Sequence, residues 1–74
     1  MNHTLNNLTT RAHIEGADII PGCRVPDTAW RRTRDGRVMT IRAADGVCTV
    51  EVDGLEPFTG TEREALRFIT RTAR

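Results

Sequence analysis

The Asp-Gly pairs Asp35-Gly36 and Asp45-Gly46 stand in the middle of the chain. Each is flanked by alternating or β-branched runs: RRTR before the first, RVMTIRAA between them, VCTVEV after the second. In that setting Asp-Gly is the strongest short hairpin signal, because both central residues of a type I′ turn need φ above zero. Three antiparallel strands are expected, at 29–34, 37–43 and 47–53. Two-residue loops would place Thr33 opposite Val38, Trp30 opposite Ile41, Ala43 opposite Cys48 and Ile41 opposite Val50.

Side chains alternate across a strand, so this register sorts the residues into two faces. One face is expected to hold Trp30, Arg32, Met39, Ile41, Ala43, Cys48, Val50 and Val52. The other holds Arg31, Thr33, Val38, Thr40, Arg42, Val47, Thr49 and Glu51. The first is apolar apart from Arg32, whose head can reach water at an edge. Such a two-sided pattern belongs to an antiparallel sheet covered on one side.

The cover is expected from TEREALRFITRTAR, residues 61–74. Thr61 and Glu64 have the spacing of a capping box, and Thr59 with Glu62 is an overlapping alternative. At 100° per residue, Ala65, Leu66, Phe68, Ile69 and Ala73 share one arc, and Arg63, Arg67, Arg71 and Arg74 lie on the other side. Early glutamates and late arginines suit a helix dipole. The expected core is therefore Trp30, Met39, Ile41, Cys48, Val50, Val52, Leu66, Phe68 and Ile69.

The expected fold class is α+β: a three-stranded antiparallel meander packed on one C-terminal helix over residues 28–74, after a poorly defined segment at 1–27. Within that segment Leu5, Leu8 and Ala12 recur at helical spacing, but Leu8, Thr10, Ala12 and Ile14 alternate like a strand. Asn and Thr are abundant there and are poor helix interior residues. One short helix or strand stays open. Over residues 29–73 the βββα order resembles the arm-type DNA-binding domains of tyrosine integrases in topology and turn placement, with no shared motif. That resemblance implies strands laid into a major groove.

Composition removes most chemistry. All eleven basic residues are arginine, and Lys, Ser, Gln and Tyr are absent. A serine nucleophile and a lysine Schiff base are therefore excluded. Cys48 falls on the expected core face, where a thiol is inert packing. Two cysteines are too few for a disulfide framework. Cys23, Cys48, His3 and His13 lack the paired short spacings of structural zinc motifs. The glycines are dispersed in turns, with no phosphate-cradling loop. The expectation is a protein that is not an enzyme, with no cofactor, no metal and no small-molecule substrate. No apolar run approaches 18 residues, so no membrane contact is expected. MNHTLNNLTT lacks the basic start and apolar stretch of a secretory signal, so the expected location is cytoplasmic. Arginine-only usage follows from GC-rich coding and points to a high-GC bacterium or a phage or plasmid living in one. It also suits bidentate contact with carboxylate or phosphate.

Charge is uneven along the chain. Residues 24–42 carry six Arg against Asp27 and Asp35, and residues 43–64 carry six acids against Arg63. Three candidate surfaces follow. Arg63, Arg67, Arg71 and Arg74 form a helix stripe. Arg31, Arg34, Arg37 and Arg42 belong to the sheet face and hairpin tip. Asp45, Asp53, Glu56 and Glu62 form an acidic patch, joined by Glu64. A net charge of +1 is far from that of a dedicated nucleic-acid binder. The leading expectation is a small phage- or mobile-element-encoded binding protein. It would inhibit or modulate a host nucleic-acid-processing complex by protein–protein contact, its partner being a host protein or nucleoprotein complex. The alternatives are a sheet-type DNA- or RNA-binding module and an oligomerising component of a larger assembly.

Overall fold

The computed structural model describes residues 2–22 and 24–74. The chain forms α1 (His3–Ile14), β1 (Asp18–Ile19), β2 (Thr28–Arg32), β3 (Val38–Ala44), β4 (Val47–Val52), β5 (Phe58–Gly60) and α2 (Glu62–Thr72). The strands make one antiparallel sheet in the order β1-β2-β3-β4-β5. The architecture is α+β, as expected, but with five strands where three were expected and two helices where one was expected.

The turns at Asp35-Gly36 and Asp45-Gly46 differ. At the second, Asp45 and Gly46 both have positive φ, 53° and 77°. Ala44 pairs with Val47, Ala43 with Cys48 and Ile41 with Val50, which is the register of a two-residue I′ loop. At the first, Gly36 has φ 89° and Asp35 is not in the left-handed region. The Thr33 N–H donates to the Arg37 carbonyl at 2.8 Å, and the Gly36 N–H donates to the Thr33 carbonyl at 3.0 Å. The loop is thus Arg34-Asp35-Gly36, a type I turn closed by a left-handed glycine. The buried Thr33 hydroxyl accepts the Arg37 N–H at 2.9 Å and also bonds the Asp35 carboxylate.

That extra loop residue slips β2 by one against the expected register. Trp30 pairs with Thr40 rather than with Ile41, and Arg32 with Val38. A one-residue slip turns every side chain of the strand over. Ala29 and Arg31 therefore share the face of Ile41 and Met39, and Trp30 and Arg32 lie on the opposite face. The expected placement of Trp30 in the core, and of Arg31 on the open face, is corrected accordingly.

The N-terminal segment is a helix of 12 residues. The Asn2 side chain caps it, accepting the Leu5 N–H at 2.9 Å. Its amide donates to Asp27 Oδ1 at 2.8 Å and to the Ala43 carbonyl at 2.7 Å, tying the helix start to the sheet. Leu8 and Ala12 are fully buried, and Leu5 packs beside them. This apolar stripe overrides the weak propensity of Asn and Thr. At the other end Gly16, with φ 101°, closes a Schellman motif. Its N–H reaches the His13 carbonyl, and the Ala17 N–H reaches that of Ala12. This helix and the short edge strands β1 and β5 depart from the βββα order used for the integrase comparison.

The expected capping box at α2 is present. The Glu64 N–H donates to the Thr61 hydroxyl at 3.2 Å, and the Thr61 N–H donates to Glu64 Oε1 at 3.0 Å. Ala65, Ile69 and Ala73 are buried, and Leu66 and Phe68 pack against the core. Phe68 stacks on Phe58 with ring centroids 5.1 Å apart. Both helices cover the face made by Met39, Ile41, Ala43, Cys48, Val50 and Val52. They run in the same direction, from the β3–β4 turn to the β2–β3 hairpin tip. The result is two layers, with helices on one face of the sheet and the other face bare.

Candidate interaction surfaces

The bare face follows from the register. It presents Thr28, Trp30 and Arg32 from β2, Val38, Thr40, Arg42 and Ala44 from β3, Val47, Thr49 and Glu51 from β4, and Thr59 from β5. Alternation in exposure agrees: along β3 and β4 the core residues are buried, and the residues between them are half-buried or exposed. Trp30 is half-buried and is not among the side chains packed on the core. Arg32 and Arg42 lie on either side of it, both exposed. Glu51 is opposite Thr40, and Asp18 is opposite Arg32, so two carboxylates offset the two guanidinium groups. Val47 on this face is 47% exposed. The face offers an aromatic ring, β-branched side chains and no net charge.

The four sheet and hairpin arginines do not act together. Arg42 is on the bare face. Arg31 lies on the helix side of β2, paired with Ile19 of the edge strand β1; its Nη1 donates to the Trp30 carbonyl at 2.8 Å, and burial lowers its pKa. Arg34 and Arg37 close the hairpin tip onto the helix ends. The Arg34 N–H donates to the Ala73 carbonyl at 3.2 Å, and Arg37 Nη2 donates to the Thr72 carbonyl at 3.3 Å. Arg37 also pairs with Asp35 at 2.9 Å. The Thr33 hydroxyl first, and Arg37 second, hold the Asp35 carboxyl below its usual range. These two arginines satisfy the terminal carbonyls of α2, where the helix dipole is negative.

The expected acidic patch is split. Asp45 and Glu62 sit at the β3–β4 turn end with Asp27, near the starts of both helices. Asp53 and Glu56 follow the far end of β4, about 20 Å away by strand rise. Asp53 Oδ2 accepts the Val38 N–H at 3.2 Å, and Glu62 Oε2 accepts the Asn7 amide at 3.1 Å. The acidic residues thus divide between the two ends of a pair of parallel helices: Asp45 and Glu62 lie where the helix dipoles favour negative charge, and Asp53 and Glu56 lie at the opposite end.

The helix stripe is present as a surface. Arg63, Arg67, Arg71 and Arg74 are all exposed on α2 and just beyond it. Arg74 Nε donates to Glu15 Oε1 at 3.2 Å, and the Arg71 guanidinium lies 5.9 Å from the Phe68 ring centroid. Arg63 and Arg67 have no salt bridge among the described residues.

Cys48 is buried, and burial first, with Glu62 second, raises its thiol pKa. A thiol so placed is a poor nucleophile. Cys23, and with it the pairing and zinc readings that need it, lies outside the described residues. Among the described residues no three His, Cys, Asp or Glu side chains group to hold a metal, and no helix is long and apolar enough to cross a membrane.

Sequence reasoning missed Trp30 and Arg32 as surface residues. The signal was local: a threonine ahead of Arg-Asp-Gly can close a three-residue loop through its hydroxyl. No family model, no curated protein and no solved structure matches this chain.

Proposed function

We propose that this chain is a small binding protein that docks on a protein partner through the bare sheet face centred on Trp30. The observation that carries this reading is the placement of the chain's one tryptophan outside the core, on a face with no net charge. Trp and Arg are the residues enriched at interface hot spots, and a docking face needs an apolar anchor inside a polar rim. Trp30 would be the anchor, with Val38 beside it and Arg32, Arg42 and Glu51 as the rim. The target class we propose is a host nucleic-acid-processing complex that a mobile-element protein inhibits or redirects. Small size, arginine-only usage and the lack of catalytic groups support that class. Trp30→Ala should keep its melting temperature within a few degrees of the parent and lose the partner that the parent retains from a host lysate. Equal recovery by the variant would sink the reading. Quenching of Trp30 fluorescence by acrylamide should be strong in the free protein and weaker in the complex.

A second reading is a sheet-face reader of single-stranded nucleic acid. It is favoured by arginines on both sides of a ring on which a base can stack. Single-stranded RNA binding that Arg32→Ala with Arg42→Ala abolishes would promote it.

A further inference from the structure

The bare sheet face and the outer face of α2 lie on opposite sides of the molecule and differ in chemistry. On α2 Ala65, Ile69 and Ala73 are buried, and Leu66 and Phe68 are half-buried against the core, Leu66 meeting Phe58 in a shallow groove beside Arg67 and Arg71. What remains outside is Arg63, Glu64, Arg67, Arg71 and Arg74. The Glu64 carboxylate is taken up by the capping box, which holds its pKa down. Arg74 is held by Glu15, which Arg11 also approaches at 3.9 Å. Glu62 points to α1, where it accepts from Asn7. Among the described residues Arg63, Arg67 and Arg71 make no salt bridge, although the Glu64 carboxylate feels the charge of Arg67 and Arg71 stands over Phe68; the three lie along one side of the helix, successive members about 6 Å apart along the axis at 1.5 Å per residue.

We propose that Arg63, Arg67 and Arg71 form a second contact surface that takes the phosphates of a duplex nucleic-acid backbone. Charge complementarity decides the class of partner. A membrane-surface helix needs a broad exposed apolar face to enter the lipid boundary, and α2 turns that face to the sheet. The apolar surface beside the stripe is confined to Leu66 and Phe58, half-buried next to Arg67 and Arg71 and already packed on the core. A phosphate backbone needs no apolar anchor: cation density alone supplies its sequence-independent affinity. Arginine matches phosphate oxygens with paired N–H donors. The contact is independent of the docking proposed for the sheet. Together they would let one small chain sit between a protein and the duplex that protein works on, the tether raising the effective concentration of a weak contact.

The test is fluorescence anisotropy of a labelled random DNA duplex titrated with the whole protein. Three phosphate contacts give a logarithmic salt slope of about −2.7, so apparent Kd should rise about 40-fold between 50 and 200 mM salt. Arg63→Ala with Arg67→Ala should weaken binding at 50 mM and cut that rise to about 3- to 4-fold. Arg32→Ala with Arg42→Ala, on the sheet face, should leave duplex binding unchanged. All variants should show the parent's circular dichroism and melting, because each replaced side chain is exposed. No duplex binding at 50 mM overturns the proposal, as does a stripe variant that binds like the parent. Competition by poly-glutamate as strong as that by unlabelled duplex would also overturn it and assign the stripe to an acidic protein.

Discussion

Leu8→Ala is the perturbation that most directly tests how the two layers are joined. Leu8 is the largest fully buried side chain contributed by α1, with Ala12 and Leu5 as its neighbours along the helix. Truncation removes the transfer energy of the lost methyls and leaves a cavity under the helix. Leu→Ala changes in comparable cores cost about 3–5 kcal/mol, and a peripheral helix that can settle inward belongs near the lower end. The whole domain is expected to be stable by only about 4–11 kcal/mol at its length. A loss of about 3 kcal/mol would lower the melting temperature by about 12–24 °C in a domain of this size. Thermal melts followed by circular dichroism read this directly, with Thr10→Ala on the exposed side of α1 as the control. A shift below about 5 °C would refute the reasoning, since it would mean that α1 is not part of the cooperative unit. A biphasic melt, with α1 lost before the sheet, would refute it too.

Gly16→Ala should destabilise the protein by about 1–3 kcal/mol, because φ there is 101° and a Cβ would lie 2.7 Å from Cδ of Arg34. Adding Arg34→Ala should recover the steric part and leave the backbone part, a coupling that a double-mutant cycle measures. Acidification should weaken the fold through two carboxyls whose folded pKa is lowered. Hydrogen bonds from Thr33 and then Arg37 lower that of Asp35, and the backbone and then the side chain of Thr61 lower that of Glu64. Such groups stabilise the fold fully above their unfolded values of about 4, and the contribution is lost as pH falls through the lower folded values. Melting temperature should therefore fall from about pH 5 downward, and Asp35→Asn with Glu64→Gln should flatten that slope. An unchanged slope in the double variant would remove both carboxyls from the account.

Much of the site was legible in the residues for reasons that are local. Asp45-Gly46 needs only its own backbone preferences to make a two-residue turn, so its register could be read. The α2 stripe needs only a period of 3.6 residues and the Thr61–Glu64 cap, both short in range. Trp30 was not legible, because its face depends on whether the turn that follows β2 holds two loop residues or three. Asp-Gly permits both.

What the amino-acid order determined by itself was the hairpin positions, the arginine line of α2 and the absence of serine and lysine chemistry. Tertiary structure decided the rest. The Asn- and Thr-rich start became a helix because Leu8 and Ala12 found a sheet face to cover, a gain that helix propensity does not contain. Edge strands of two and three residues formed because β2 and β4 offered free backbone groups to pair. The face of Trp30 was settled by one loop residue, since a period of two converts a single-residue slip into a change of side.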